Sequence, residues 1–216
     1  MRIALDAMGT DSAPFNEIEG AVTALSGFER DWEILLVGDR RRIQDELARH
    51  EMPPEGRISI VHAPERIVPG EGPVAAVRKK PNSSIVVGVK LQKEGEADAF
   101  VSAGSTGAVM ASSLLFLRAL PGVDRPAIGT VLPTSGNPTL LLDAGANVDC
   151  KPVHLLQFAH LGNTYAQDLL GVDRPRIGLL NIGEEPEKGN ELAVESHKLL
   201  RASELNFVGN IEGREI

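Results

Sequence analysis

Two periods of hydrophobicity take turns along this chain. Short runs rich in Val, Ile, Leu and Ala predict buried strands at 2–6, 33–37, 57–62, 99–102, 127–132, 139–143, 176–181 and 205–208. Between them, longer stretches with apolar residues three and four apart predict helices at 14–27, 40–50, 83–94, 106–117, 151–170 and 190–202. Asp39 and Asn190 stand where the second and last helices need N-caps, since their side-chain oxygens accept from the free N–H groups of a first turn. Strands alternating with helices predict the α/β class, with three layers and helices on both sides of a mostly parallel sheet. Several strands are nearly unbroken aliphatic runs, as expected when both faces are covered. The exception is Pro133-Thr134-Ser135-Gly136-Asn137-Pro138, a turn-rich link that predicts an antiparallel hairpin between 127–132 and 139–143. No repeat or clear linker divides the sequence, so one domain over residues 1–216 is expected.

In open α/β sheets ligands bind beyond the carboxyl ends of the strands. This chain places Asp6, Ser102, Asp143 and Asn181 at those ends. The most informative stretch is Ser102-Ala103-Gly104-Ser105-Thr106-Gly107-Ala108, where a strand ends in small residues and a helix begins at hydroxyls. The free N–H groups and dipole of a helix start suit an anion, most often phosphate. Gly104 and Gly107 would let a ligand approach the backbone, and Ser105 and Thr106 add hydroxyl donors. The same residues also serve as a plain helix cap and tight turn. The stretch is neither a Walker loop nor a dinucleotide fingerprint.

Other segments carry candidate chemistry beside an ordinary structural reading. Asp6 with Gly9 either orients a ligand or holds its own loop. Asp143 and Asn147 are placed near the site, while Asp149 is expected to cap the helix that starts at Lys151. An Asp pair also suits acid–base work or a metal. Cys150, at a helix start, is a candidate low-pKa nucleophile. In the loop after 176–181, Lys188 could set an ammonium over a phosphate, against the alternative of an acidic solvated loop. Arg78, Lys79 and Lys80, beside the hydroxyl-rich Asn82-Ser83-Ser84, suit an acidic partner or simply solvent. The five His residues have no zinc-type spacing, so no metal site is expected.

Composition narrows the classes. A net charge of −8 over 216 residues argues against a general nucleic-acid partner. Aromatics are only 4%, so the core must be aliphatic. A single cysteine excludes an intramolecular disulfide and suits a reducing cytoplasm. Met1-Arg2 runs directly into Ile3-Ala4-Leu5 without a secretory pattern, and no apolar run is long enough to span a bilayer.

Taken in order, these motifs resemble the bacterial phosphate acyltransferase family of phospholipid synthesis. The resemblance runs from Ile3-Ala4-Leu5-Asp6-Ala7-Met8-Gly9 through Lys79-Lys80 with Ser83-Ser84, and through Ser102-Ala103-Gly104 with Thr106-Gly107-Ala108. It continues in Asp124-Arg125-Pro126-Ala127-Ile128, Leu142-Asp143 with Gly145-Ala146-Asn147, and Gly178 to Glu185. It ends at Lys188-Gly189 and Gly209-Asn210-Ile211-Glu212-Gly213-Arg214. Thr10 stands where the family usually has Gly, and Ser105 where it usually has Asn. The family is also longer, so the chain is expected to lack a C-terminal segment that adds to the site and the dimer surface.

The resemblance implies a Rossmann-like fold similar to the phosphotransacetylase and isocitrate dehydrogenase architecture. It implies that inorganic phosphate attacks the thioester of a fatty acyl-acyl carrier protein, with no cofactor, no metal and no covalent enzyme intermediate. Ser105, Thr106 and the backbone around Gly107 would hold phosphate. Lys188 would neutralise charge, Asn181 or Asn147 would donate to the oxyanion, and Arg78, Lys79 and Lys80 would receive the acidic carrier. A cytoplasmic homodimer with peripheral membrane contact is implied too. The alternatives are a phosphotransacetylase-like enzyme using acyl-coenzyme A and a catalytically silent binding or dimerisation fragment.

Overall fold

Strands β1 (Arg2–Asp6), β2 (Glu33–Gly38), β3 (Ile58–His62) and β4 (Ala99–Val101) form one parallel sheet in the order β3-β2-β1-β4. The computed structural model describes residues 1–27, 31–50, 56–134, 136 and 138–216. These divide into two compact units, Met1–Arg118 and Ala119–Ile216.

In the first unit the strands connect through α1 (Phe15–Gly27), α2 (Arg40–Leu47), α3 (Pro73–Lys79) and α4 (Ser84–Lys93), and α5 (Thr106–Phe116) follows β4. Strand alternation sets the layers. Ile34 and Leu36 of β2 pack with Ile18, Ala21 and Leu25 of α1 and with Ile43 and Leu47 of α2. Leu35 and Val37 turn to the opposite face, with Ala4, Ala63, Leu91 and Ala97. A third cluster of Ile67, Ala76, Val77, Ile85, Val86 and Ala108 fixes α3, α4 and α5 to one another. Each fully buried aliphatic side chain such as Ile18, Leu36 or Ile43 contributes about 1.5–3 kcal/mol by leaving water. The core is aliphatic, as composition requires.

The second unit pairs β5 (Gly129–Leu132) with β6 (Thr139–Leu142) in an antiparallel hairpin. Helix α6 (Pro152–Asp168) leads to β7 (Ile177–Leu180), then α7 (Glu191–Ala202) and β8 (Phe207–Ile211), which runs parallel to β7. The α/β class, the parallel pairing and the antiparallel hairpin therefore appear as expected. Ser135 and Asn137 of the turn-rich link lie outside the described residues.

Asp39 and Asn190 cap their helices, accepting from the Arg42 and Ala193 N–H groups at 2.9 and 3.0 Å. Two of the differences from expectation are instructive. Helix α3 has no counterpart in the predicted set, because its apolar Val74-Ala75-Ala76-Val77 run is too short to show a helical period. Its signal was Pro73 at the first helical position after Gly72. Strand β8 starts and ends later than predicted, because pairing decides it: Leu179 and Leu180 lie opposite Asn210 and Ile211. No helix among the described residues is long and apolar enough to cross a membrane.

Candidate functional site

At the carboxyl edge of the first sheet, Asp6 is 1% exposed and both its oxygens are in use. Oδ1 accepts from the Met8 N–H at 3.0 Å, and Oδ2 accepts from Ser102 Oγ at 2.7 Å. Ser102 Oγ in turn accepts from the Gly104 N–H at 3.0 Å. Asp6 thus fixes the loop after β1 and the loop after β4 together. Those loops touch at Gly9, where a Cβ would stand 2.8 Å from the Gly104 nitrogen. Only a residue without a side chain permits that approach.

The loop ends at the start of α5. Ser105 is its N-cap, accepting from the Ala108 N–H at 3.3 Å. Among the described residues, nothing accepts from the N–H groups of Ser105, Thr106 or Gly107. Thr106 is exposed. This end therefore presents free donors and a hydroxyl at the positive pole of a helix, an arrangement suited to an anion. The glycines act differently from expectation. A Cβ at Gly104 would meet Asp6 and Ser102, and one at Gly107 would lie 2.7 Å from Pro73 Cγ. The room they leave is filled by the protein itself.

The run Arg78-Lys79-Lys80 separates into two roles. Arg78 and Lys79 are exposed in the last turn of α3. Lys80 is half-buried and committed: Nζ donates to the Arg66 carbonyl at 2.8 Å and pairs with Glu71 at 2.6 Å. That bond, with the Val68 N–H, holds the Glu71 carboxyl below its usual range. Lys80 is thus withdrawn from the proposed docking set. The adjacent hydroxyl-rich helix start is closed as well. Glu65 accepts from the Asn82 N–H through its side chain and from the Ser84 N–H through its carbonyl, and Ser83 and Ser84 are buried.

A network missed at the sequence level ties these loops to α1. Glu17, 6% exposed, accepts from the Thr10 N–H at 2.7 Å, and Arg66 donates to the Thr10 carbonyl at 2.8 Å. Nothing in spacing or composition marks Glu17 or Arg66. A lone Glu in a first helical turn reads as a favourable dipole partner and nothing more.

In the second unit Asp143 and Asn147 come together. Asp143 Oδ1 accepts from the Ile128 N–H at 2.7 Å, and Oδ2 accepts from the Asn147 N–H at 2.8 Å. Asn147 Nδ2 donates to the Pro126 carbonyl at 2.9 Å and to Asp143 Oδ2 at 3.2 Å. Burial opposes the Asp143 charge, but donors from Ile128, Asn147 and Ala146 outweigh it and hold the carboxyl below its ordinary range. Asn147 has spent both amide hydrogens, which removes it as an oxyanion donor. Asp143 reads as a loop fastener rather than a proton carrier.

Asp149 does not cap α6. The N-cap is Lys151, whose N–H donates to His154 Nδ1 at 3.1 Å. Cys150 departs from the nucleophile reading. Burial pushes its thiol up, Asp143 and Asp149 add to the rise, and Arg125 only partly offsets it. No group of three His, Cys, Asp or Glu among the described residues could hold a metal ion.

Asn181, at the end of β7, organises the next loop. Its Oδ1 accepts from the Ile182 N–H and its Nδ2 donates to the Lys188 carbonyl, both at 2.9 Å. Gly189, at φ +93°, makes this possible, since a Cβ there would lie 2.5 Å from Asn181 Oδ1. One amide hydrogen of Asn181 stays free, and the Lys188 side chain is exposed with no ion pair among the described residues. Asp143, Asn147 and Cys150 border an apolar cavity of about 420 Å³ formed by β6, α6, β7 and α7. Asn181 borders a second, of about 580 Å³, which shares Leu155, Leu179, Leu180 and Leu192 with the first.

Comparison with known proteins matches all of residues 1–216 to the family described as fatty acid synthesis protein. The phosphate acyltransferase of Desulforamulus reducens is 57% identical over 216 residues, covering 100% of this chain and 64% of its own length. That of Desulfitobacterium hafniense is 54% identical, again over 100% and 64%. The chain thus spans just under two thirds of these relatives. Among solved structures, the EutD phosphotransacetylase from Staphylococcus aureus aligns with a TM-score of 0.64 at 19% identity, over 98% of this chain and 68% of that one. A branched-chain phosphotransacylase from Enterococcus faecalis gives 0.62 at 16% identity, over 98% and 67%. At such identities the likeness concerns the fold alone.

Proposed function

The chain belongs to the fatty acid synthesis protein family, and from that membership we propose that it transfers a fatty acyl group from acyl carrier protein to inorganic phosphate. The observation that carries this reading is the run of free N–H groups at Ser105, Thr106 and Gly107, held in place by the Asp6–Ser102–Gly104 chain of hydrogen bonds. Its relatives are named phosphate acyltransferases, which fits an anion held at that point.

The chemistry asks for position more than for covalent help. A phosphate oxygen attacks the thioester carbonyl, forming a C–O bond. The tetrahedral intermediate then collapses, the C–S bond breaks, and the carrier leaves as a thiolate that takes a proton. Phosphate is already nucleophilic near neutral pH, and a thiol of pKa about 8.5 is a tolerable leaving group. Holding the phosphate in line with the carbonyl supplies much of the rate. The Thr106 hydroxyl and the three N–H groups would do that holding, and Ser105 would keep them aligned as the cap. In the second unit, Lys188 and the remaining amide hydrogen of Asn181 are candidate donors to an anionic species. Arg78 and Lys79 remain the candidate cations for an acidic carrier. A homodimer and peripheral membrane contact complete the family reading, to be checked by sedimentation and by flotation with anionic vesicles.

The deciding experiment supplies the purified chain with phosphate and either acyl-acyl carrier protein or acyl-coenzyme A, and follows acyl phosphate. Turnover with the carrier-bound donor is expected. Turnover with the coenzyme A donor alone would move the protein to a phosphotransacylase activity. Phosphate binding by a folded chain with neither donor turned over would make it a binding fragment.

A further inference from the structure

Helices α3 and α5 lie side by side and leave an apolar groove of about 290 Å³ between them, lined by Val74, Val77, Arg78, Ala111, Leu114 and Leu115. Val77 is buried and forms the floor, whereas Val74, Leu114 and Leu115 remain 58, 39 and 48% exposed. Large aliphatic side chains gathered this way on two neighbouring helices form a contiguous apolar patch, the kind of surface used for interaction.

The charge around the groove identifies the partner. The chain carries 30 acidic residues against 22 Lys and Arg. Yet from Gly72 to Lys93 there is no carboxylate, while Arg78, Lys79, Lys80, Lys90 and Lys93 all fall there. Helix α5 has no charged residue of either sign. Glu71, just before α3, is neutralised by Lys80. The groove is thus an apolar slot with the exposed Arg78 in its lining, and Lys79 is exposed next to it in sequence, in a chain that is elsewhere acidic. That combination matches an acidic helix with an apolar ridge, drawn in by charge and seated by packing.

We propose that the α3–α5 groove is where the acidic carrier of the acyl donor docks, with an apolar ridge on Val74, Leu114 and Leu115 and a carboxylate on Arg78. The inference rests on the acyl-carrier reading above and adds an apolar seat that the cation run alone did not indicate. A groove of about 290 Å³ lined by six residues seats a short ridge, which suits a carrier that must leave after every transfer.

The test uses the full chain, with unloaded acyl carrier protein as the binding probe and acyl-acyl carrier protein as substrate. Leu115→Asp and Val74→Asp should weaken carrier binding at least tenfold. They should raise the KM for the carrier-bound donor to match, with kcat and the phosphate KM unchanged. Arg78→Glu should weaken binding and flatten its salt dependence, and it guards against a groove variant that fails to fold. Wild-type turnover of the carrier-bound donor with variants that bind the carrier normally would overturn the groove while leaving the proposed reaction standing. A wild-type chain that neither binds nor uses the carrier would overturn both. Loss of binding to phosphatidylglycerol vesicles, with carrier binding intact, would reassign the groove to a lipid surface and overturn the proposal.

Discussion

Ser102 Oγ donates to the Asp6 carboxylate across 2.7 Å, fastening the ends of two adjacent strands whose residues lie 96 positions apart in sequence. Ser102→Ala would leave one oxygen of a buried carboxylate unpaired and take the acceptor from the Gly104 N–H. The expected cost is about 1–3 kcal/mol in urea unfolding. A loss well under 1 kcal/mol would mean that water enters and replaces the hydroxyl.

The start of α5 separates holding from capping. Thr106→Val should raise the phosphate KM far more than the donor KM, since Thr106 is exposed and its hydroxyl has no partner among the described residues. Ser105→Ala should cost about 1 kcal/mol of stability through the lost cap. Equal changes in both KM values for Thr106→Val would make the loop purely structural.

Gly9→Ala introduces a Cβ 2.8 Å from the backbone nitrogen of Gly104. Backbone cannot swing aside as a side chain can, so overpacking of about 1–3 kcal/mol is expected, together with weaker phosphate binding. A thermal melt and a phosphate titration on the same variant check the two effects.

Asp143 sets an acid limit on the second unit. Its folded pKa lies below the ordinary value, so its charged form contributes stability fully present above the unfolded pKa, about 3.9. That contribution disappears as pH falls through the lower folded value. Asp143→Asn should therefore be less stable than the wild type at pH 7, with the gap closing below about pH 4. A gap that stays constant across that window would remove the charge from the account.

The raised Cys150 thiol should alkylate more slowly than a small free thiol at pH 8, because less of it is thiolate. Cys150→Ala should leave turnover intact. Rapid alkylation with loss of turnover would restore the nucleophile.

The alternation of strands and helices, the hairpin and two N-caps could be read directly from periodicity and local chemistry, since each is decided within a few residues. What the polar residues do could not. Asp143, Asn147 and Lys80 have the composition of a site, yet each spends its hydrogen bonds on its own surroundings, with partners such as Ile128, Pro126 and Arg66 that no local pattern names. The same holds for Glu17, whose function in holding Thr10 depends on how α1 settles on the sheet. Sequence shows which groups are present. Pairing across long separations decides which of them stay free; among the described residues, the Thr106, Arg78, Lys79 and Lys188 side chains and one amide hydrogen of Asn181 are candidate groups that do.

The close approach of Gly9 to Gly104 also governs how this protein can be varied. A residue gained in one loop needs a matching retreat in the other, so substitutions at the two places will not add. Saturating either loop alone would reject sequences that work in pairs, and randomising the two together is the way to reach them.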